Sequence, residues 1–308
     1  MSAPAPDAAG FESRAVAAYL GLALGDALGA TVEFMTPREI AAAYGVQERI
    51  RGGGWLRLKR GQVTDDTTMA LALGEAILAR GAVDAQAVAE AFDRWMRARP
   101  VDIGNTVRRG ILHWRTTGLA QVPESAQDAG NGACMRCLPV ALATLGAAPD
   151  AVRAASRAQA RVTHHNPLSD AATECVVGMV QSALRGAGPG ELRAAARELV
   201  ARHPEFDFDG RSVDNPSGYV VETLRAVFQA LFGTGCFEDC LVDVVNRGGD
   251  ADTTGAIAGM IAGALYGRAA LPARWLADLD AGVAAACERQ AKSLLGLAPL
   301  LRPAPAGP

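Results

Sequence analysis

Glycine recurs at every fourth residue in two widely separated stretches of this chain, at Gly21, Gly25 and Gly29 and again at Gly255, Gly259, Gly263 and Gly267. Residues four apart lie on one face of an α-helix, so each stretch presents a stripe without side chains. A helical glycine costs up to about 1 kcal/mol relative to alanine, and a packing advantage is expected to offset that cost. Two such stripes predict two central helices whose backbones approach closely. Half of the residues are hydrophobic and only 5% are aromatic, which fits a core made by closely packed helices rather than by large rings.

Helical periodicity extends along the chain. Further helices are expected at Thr67–Arg80, Ala85–Arg97, Asn105–Thr116, Met135–Leu145, Pro149–Arg161, Leu168–Arg185, Gly190–Arg202, Tyr219–Phe232, Cys236–Asn246 and Gly282–Leu295. Period-two strand patterns are absent. Gly52–Gly54, Gly186–Gly190 and His203–Gly218 collect the Gly, Pro, Asn and Asp of loops. The expectation is one all-α domain over residues 11–298, with flexible segments at 1–10 and 299–308.

Two acidic clusters, Thr64-Asp65-Asp66-Thr67 and Gly248-Gly249-Asp250-Ala251-Asp252-Thr253-Thr254, each open an Ala-rich apolar run. A helix N-terminus favours negative charge through its free N–H groups and dipole, and Asp and Thr are preferred caps there. Capping of two unrelated helices would explain one Asp per helix, but four acids with matched threonines exceed that need. An ionised carboxylate beside apolar residues is costly unless paired, hydrogen-bonded or metal-bound. Asp65, Asp66, Asp250 and Asp252, with the hydroxyls of Thr64 and Thr253, form an all-oxygen donor set. Such a set selects hard cations such as Mg²⁺, Mn²⁺ or Ca²⁺ over zinc. Four negative charges are balanced by two divalent ions.

A net charge of −3 gives no electrostatic footprint for nucleic acid, and although local Arg patches are compatible with it, the sequence does not force one. The opening Met1–Gly10 lacks the basic start of a signal peptide, so the expected location is cytoplasmic. The longest apolar stretches, Ala15–Gly25 and Ala256–Tyr266, are shorter than the roughly 20 residues that span a bilayer, and no direct membrane insertion is expected. Of the six cysteines, Cys134/Cys137 and Cys236/Cys240 have spacings compatible with zinc. Because Cys137 leads straight into Leu138-Pro139-Val140, buried thiols are the preferred reading.

The ordered motifs resemble the ADP-ribosylglycohydrolase family, in particular its branch acting on dinitrogenase reductase. They run from Gly25-Asp26-Ala27-Leu28-Gly29 and Glu33 through Thr64–Met69, Pro100–Thr106, Gly130–Arg136 and Thr163–Pro167 to Gly248–Thr253. The resemblance implies an orthogonal all-α bundle with a binuclear Mn²⁺ or Mg²⁺ site. Thr64, Asp65, Asp66, Asp250, Asp252 and Thr253 would be its ligands, and Asp26 would brace the metal loops by hydrogen bonding. The implied reaction is hydrolysis of the N-glycosidic bond between ADP-ribose and a target protein's arginine. Asp102 would be the acid/base carboxylate and Glu33 the second carboxylate near the ribose.

Gly130, Asn131, Gly132, Ala133, Cys134 and Met135 would cradle the pyrophosphate ahead of a helix start. Ala133 and Cys134 depart from the family's usual Ser and hydrophobic residue there, removing one hydroxyl contact. His165 would reach the ribose or phosphate, and Tyr219 would stack on adenine. A turn-stabilising histidine pair and a core tyrosine are the structural alternatives. The implied partners are ADP-ribosylated dinitrogenase reductase, a PII signalling protein and, through it, a membrane ammonium transporter. Two competing functions remain at this stage: hydrolysis at another acceptor, or a non-catalytic ADP-ribose-binding or structural role, which would predict eroded acidic clusters.

Overall fold

The computed structural model describes residues 7–302. Among them the chain is all-α as expected, with fourteen α-helices and no strand. In chain order the first seven are α1 (Ala8–Gly29), α2 (Pro37–Tyr44), α3 (Asp65–Arg80), α4 (Ala85–Arg97), α5 (Asn105–Thr117), α6 (Leu138–Ala143) and α7 (Pro149–Ala160). They continue as α8 (Pro167–Leu184), α9 (Pro189–Arg202), α10 (Val220–Gly233), α11 (Phe237–Asn246), α12 (Ala251–Tyr266), α13 (Ala273–Asp278) and α14 (Ala281–Leu295). No described helix is long and apolar enough to cross a membrane.

Of the two segments expected to be flexible, residues 1–6 and 303–308 lie outside the described residues. Inside them, Asp7 caps α1 by accepting from Gly10 N at 2.8 Å, and Pro299–Leu301 forms a 3-10 turn. Two helices escaped the periodicity argument. One is α2, whose capping box Thr36/Glu39 and Pro37 were readable local signals. The other is the six-residue α13. The expected Met135–Leu145 helix begins later, at Leu138, because residues 131–136 form successive turns.

The glycine stripes meet as predicted. Helices α1 and α12 run antiparallel through the core, with Gly21 against Gly259, Gly25 against Gly255, Gly29 against Ala251 and Ala17 against Gly263. A Cβ on Gly25 would fall inside contact distance of the Gly255 carbonyl and 2.9 Å from Ala256 N. Gly267 does not belong to the stripe: nothing lies within 4 Å of its Cβ position, and its φ of +78° ends α12. Cys134, Cys137, Cys175, Cys240 and Cys287 are buried free thiols.

Because the clash at Gly25 is with backbone, it cannot be relieved by a rotamer change. Gly25→Ala is expected to destabilise by about 2 kcal/mol or more, overriding its helix-propensity gain of up to about 1 kcal/mol. Gly178→Ala in α8 meets nothing within 4 Å, and is expected to stabilise by up to about 1 kcal/mol. Denaturant midpoints of the two variants check the contrast.

Candidate metal and substrate site

The antiparallel pairing brings the C-terminal end of α1 to the N-terminal end of α12, and the start of α3 joins them. Thr64 stands at the N-cap of α3 but makes no side-chain cap. Asp26 of α1 takes that role from outside the helix. Its carboxylate accepts from Thr64 N at 3.0 and 3.1 Å, Thr67 N at 3.1 Å, Thr64 Oγ1 at 3.0 Å and Thr67 Oγ1 at 2.5 Å. Burial pushes Asp26 up to about 6, and these donors pull it back toward the ionised form. Asp26 therefore locks the first acidic cluster in place, as expected.

A cavity of about 510 Å³ opens at this junction, bordered by Glu33, Asp65, Asp102, Asn131, Asp250 and Asp252. Oxygen atoms of Glu33, Asp250 and Asp252 lie within 4.8 Å of one another, a grouping that could hold a metal ion. The structure thus groups Glu33, expected near the metals and the ribose, with the acids of the second cluster. Asp66 sits behind, where Thr64 Oγ1 donates to its Oδ2 at 3.2 Å and Thr253 Oγ1 at 3.3 Å, linking the two clusters. Its Oδ1 is buried and has no partner.

Burial dominates the electrostatics. It raises Asp65 to about 7, with the Asp102 charge adding and the Gly104 N–H opposing. Glu33 rises to about 8 through burial and the charges of Asp250, Asp102 and Asp65, against the Trp55 hydrogen bond. Asp66 and Asp252 are pushed well above the carboxylate range by burial and by neighbouring carboxylates. Packed acids with an orphaned buried oxygen fit a divalent cation, which supplies the missing positive charge and takes up the free lone pairs.

Asp102 borders the cavity on the strap between α4 and α5, with Ile103 N donating to its Oδ1 at 2.8 Å. Burial raises its pKa. Asn131 ties the next strap to α12, its Nδ2 donating to Asp250 Oδ2 at 2.7 Å and to Thr223 Oγ1 at 3.0 Å. Gly130, Gly132 and Met135 border the cavity with it. Ala133 and Cys134 do not; both are fully buried beneath the strap. The expected helix-start anion site is also absent: Cys134 N and Met135 N both donate to Asn131 O, and α6 begins only at Leu138. Gly132 N keeps no acceptor among the described residues.

The histidine expectation is corrected. His165 turns away, its Nδ1 bonded to Val122 O at 2.8 Å, and its ring lines a separate surface depression. His164 faces the cavity instead, packed so tightly on the strap that a Cβ at Gly130 or Gly132 would come within 2.9 or 2.7 Å of its ring. Arg136 Nη2 donates to Thr163 Oγ1 at 2.7 Å, and that hydroxyl lies 2.8 Å from His164 Nδ1. With the hydroxyl hydrogen on Nδ1, the ring carries its proton on Nε2 and offers a donor to the cavity. Burial and the charges of Arg136 and Arg109 lower His164 to about 3, so it stays neutral at physiological pH. Adjacent identical residues in a turn carry no local signal of which one faces inward, so sequence reasoning chose the wrong member.

Tyr219 is exposed just before α10 and does not border the cavity, although its backbone bridges to Gly130 and its neighbour Gly218 does. The rim also contains two residues that no motif singled out, Phe34 and Trp55.

A sequence model described as ADP-ribosylglycohydrolase matches residues 7–303. The chain is 51% identical to ADP-ribosyl-[dinitrogen reductase] glycohydrolase of Rhodospirillum rubrum, covering 93% of this chain and 97% of that protein. It is 35% identical to ADP-ribosylarginine hydrolase Tri1 of Pseudomonas putida (strain GB-1), covering 85% and 73%. A solved ADP-ribosylglycohydrolase-related protein complex superposes with a TM-score of 0.83 at 35% identity, covering 93% of this chain and 98% of that one. Matched by the family model along nearly its whole length and by relatives in sequence and in fold, the chain belongs to the ADP-ribosylglycohydrolase family.

Proposed function

We propose that this protein is a cytoplasmic, metal-dependent hydrolase that removes mono-ADP-ribose from an arginine of a target protein, with dinitrogenase reductase as the target. The observation that carries the reading is the buried carboxylate group in a cavity of substrate size, on a chain 51% identical to a relative whose name specifies that reaction. Intact acidic clusters argue against a purely structural role.

Thr64, Asp65, Asp66, Asp250, Asp252 and Thr253 are the residues that would hold two divalent cations, Mn²⁺ or Mg²⁺, with Glu33 beside them. Bound there, the ions supply Lewis acidity and a template for ribose hydroxyls and water. The protein's own groups handle the leaving side. Neutral guanidine is a strong base and must depart protonated. Asp102, whose proton is held more firmly by burial, borders the same cavity and can move a proton to the leaving nitrogen or hold one on the ribose. His164 Nε2 and Gly132 N offer neutral donors to phosphate or ribose oxygens. Recruitment by a PII protein to an ammonium transporter belongs to the same reading, through the branch that the Rhodospirillum relative represents.

Release of ADP-ribose from ADP-ribosyl-arginine, followed with Mn²⁺, with Mg²⁺ and with chelator, tests the proposal. Metal-dependent release is expected, and no release from folded, metal-loaded protein would sink it. In the same assay His164→Ala is expected to raise KM about tenfold through the lost hydrogen bond, while His165→Ala leaves KM unchanged. The opposite order would return the substrate contact to His165.

A further inference from the structure

The acidic cavity has one aromatic wall, and nothing in the chemistry above uses it. Phe34 and Trp55 are 65% and 52% exposed, with ring centroids 5.4 Å apart and planes inclined at 47°. Both border the cavity beside Glu33, Asp65 and Asp102. The backbone holds these rings at the surface. Phe34 adopts φ of +64°, a left-handed conformation that non-glycine residues seldom take and that concentrates at ligand sites. Its N–H donates to Gly249 O at 2.7 Å, tying the ring to the residue before Asp250.

Trp55 occupies the tip of a turn closed by two reciprocal 2.8 Å bonds between Gly53 and Leu58. Gly54, at φ +66°, packs that turn onto the Ala30 carbonyl, where a Cβ would lie 2.5 Å from the oxygen. The indole N–H then donates to Glu33 Oε2 at 2.6 Å, which fixes the ring against the acidic group.

We infer that Phe34 and Trp55 form a clamp for the guanidinium group of the substrate arginine. They act as positioning residues that make the site selective for an arginine-linked ADP-ribose. The inference rests on the hydrolase reading above and deepens it. A planar guanidinium stacks on aromatic faces and gains further from nearby carboxylates. An adenine ring would gain from the stacking but not from the surrounding acids. The pair is also joined to Glu33 and to the Asp250 loop, whereas the Gly130–Gly132 strap that suits phosphate is packed against His164.

The test compares KM for ADP-ribosyl-arginine with Ki for ADP-ribose, which lacks the guanidine, on the metal-loaded full chain. Trp55→Leu is expected to raise KM at least about tenfold while Ki stays within about twofold. Trp55→Phe keeps an aromatic face without the N–H and is expected to raise KM by no more than about threefold. Phe34→Gly, which relieves the left-handed backbone and should fold at least as well, is expected to raise KM several-fold. Parallel rises in KM and Ki would mean that the rings stack on adenine or merely shape the cavity, and unchanged values would make them bystanders. Either result overturns the clamp.

If the wild type releases no ADP-ribose from ADP-ribosyl-arginine, the hydrolase reading fails separately and calorimetry decides the clamp. ADP-ribosyl-arginine bound no more tightly than ADP-ribose would overturn it, and tighter binding abolished by Trp55→Leu would sustain it.

Discussion

Asp66→Asn is expected to abolish metal-supported turnover and, in metal-free protein at pH 8, to raise stability. Loss of an outer partner alone typically costs a metal site roughly 10–100-fold, and removing a candidate ligand that bridges both clusters should exceed that. The opposite effect on stability follows from proton linkage. Asp26, Asp65 and Glu33 are raised to about 6, 7 and 8 in the folded metal-free protein, and burial and neighbouring carboxylates also push Asp66 and Asp252 well above the ordinary carboxylate range. A raised carboxyl pKa means that the folded state binds more protons than the unfolded chain above pH ~4. The folded protein's advantage is therefore fully present below pH ~4 and lost as pH rises through the raised values. An amide at position 66 removes one charge from this group. Metal-free wild type and variant should thus converge in stability near pH 4 and separate toward pH 8, the variant being more stable. Adding Mn²⁺ at a hundred times its Kd should stabilise the wild type by about 2.7 kcal/mol and the variant by much less. Thermal melts with metal and with chelator across pH 4–8 check both signs. A variant that melts lower than metal-free wild type at pH 8 would mean that Asp66 is satisfied without a cation.

Asp102→Asn is expected to lower kcat by about 10²–10⁴, the contribution of a positioned acid/base group, while metal still raises the melting temperature. The separation depends on position. Asp102 lies on the strap before α5 with its Oδ1 bonded to Ile103 N, on a separate segment from the starts of α3 and α12 that carry the candidate ligands. An Asn side chain can keep the bond from Ile103 but cannot transfer the proton. Single-turnover release of ADP-ribose alongside metal-dependent melts checks the result. Loss of the metal response in Asp102→Asn would reassign Asp102 to the ligand set and leave Glu33 as the remaining acid/base candidate.

Much of the architecture was legible because it is written in local periods. The four-residue glycine spacing predicted the α1–α12 contact, and the acidic openings of α3 and α12 marked the two helix starts that converge on the cavity. Where the period was short or interrupted, legibility failed. Helix α2 was overlooked despite its capping box, and the helix expected from Met135 begins only at Leu138, because the turn that starts at Asn131 carries through Arg136.

The sequence by itself determined the helical class, the close pairing of two central helices and an acidic group needing positive charge, since spacing, glycine and carboxylate chemistry are local properties. Only the tertiary structure decided that Asp26 caps α3 from another helix, that His164 rather than His165 faces the cavity, and that Glu33 joins the acidic group under Trp55. Those outcomes depend on the rotation of each loop about its neighbours. Packing between distant segments sets that rotation, and no residue's own type encodes it.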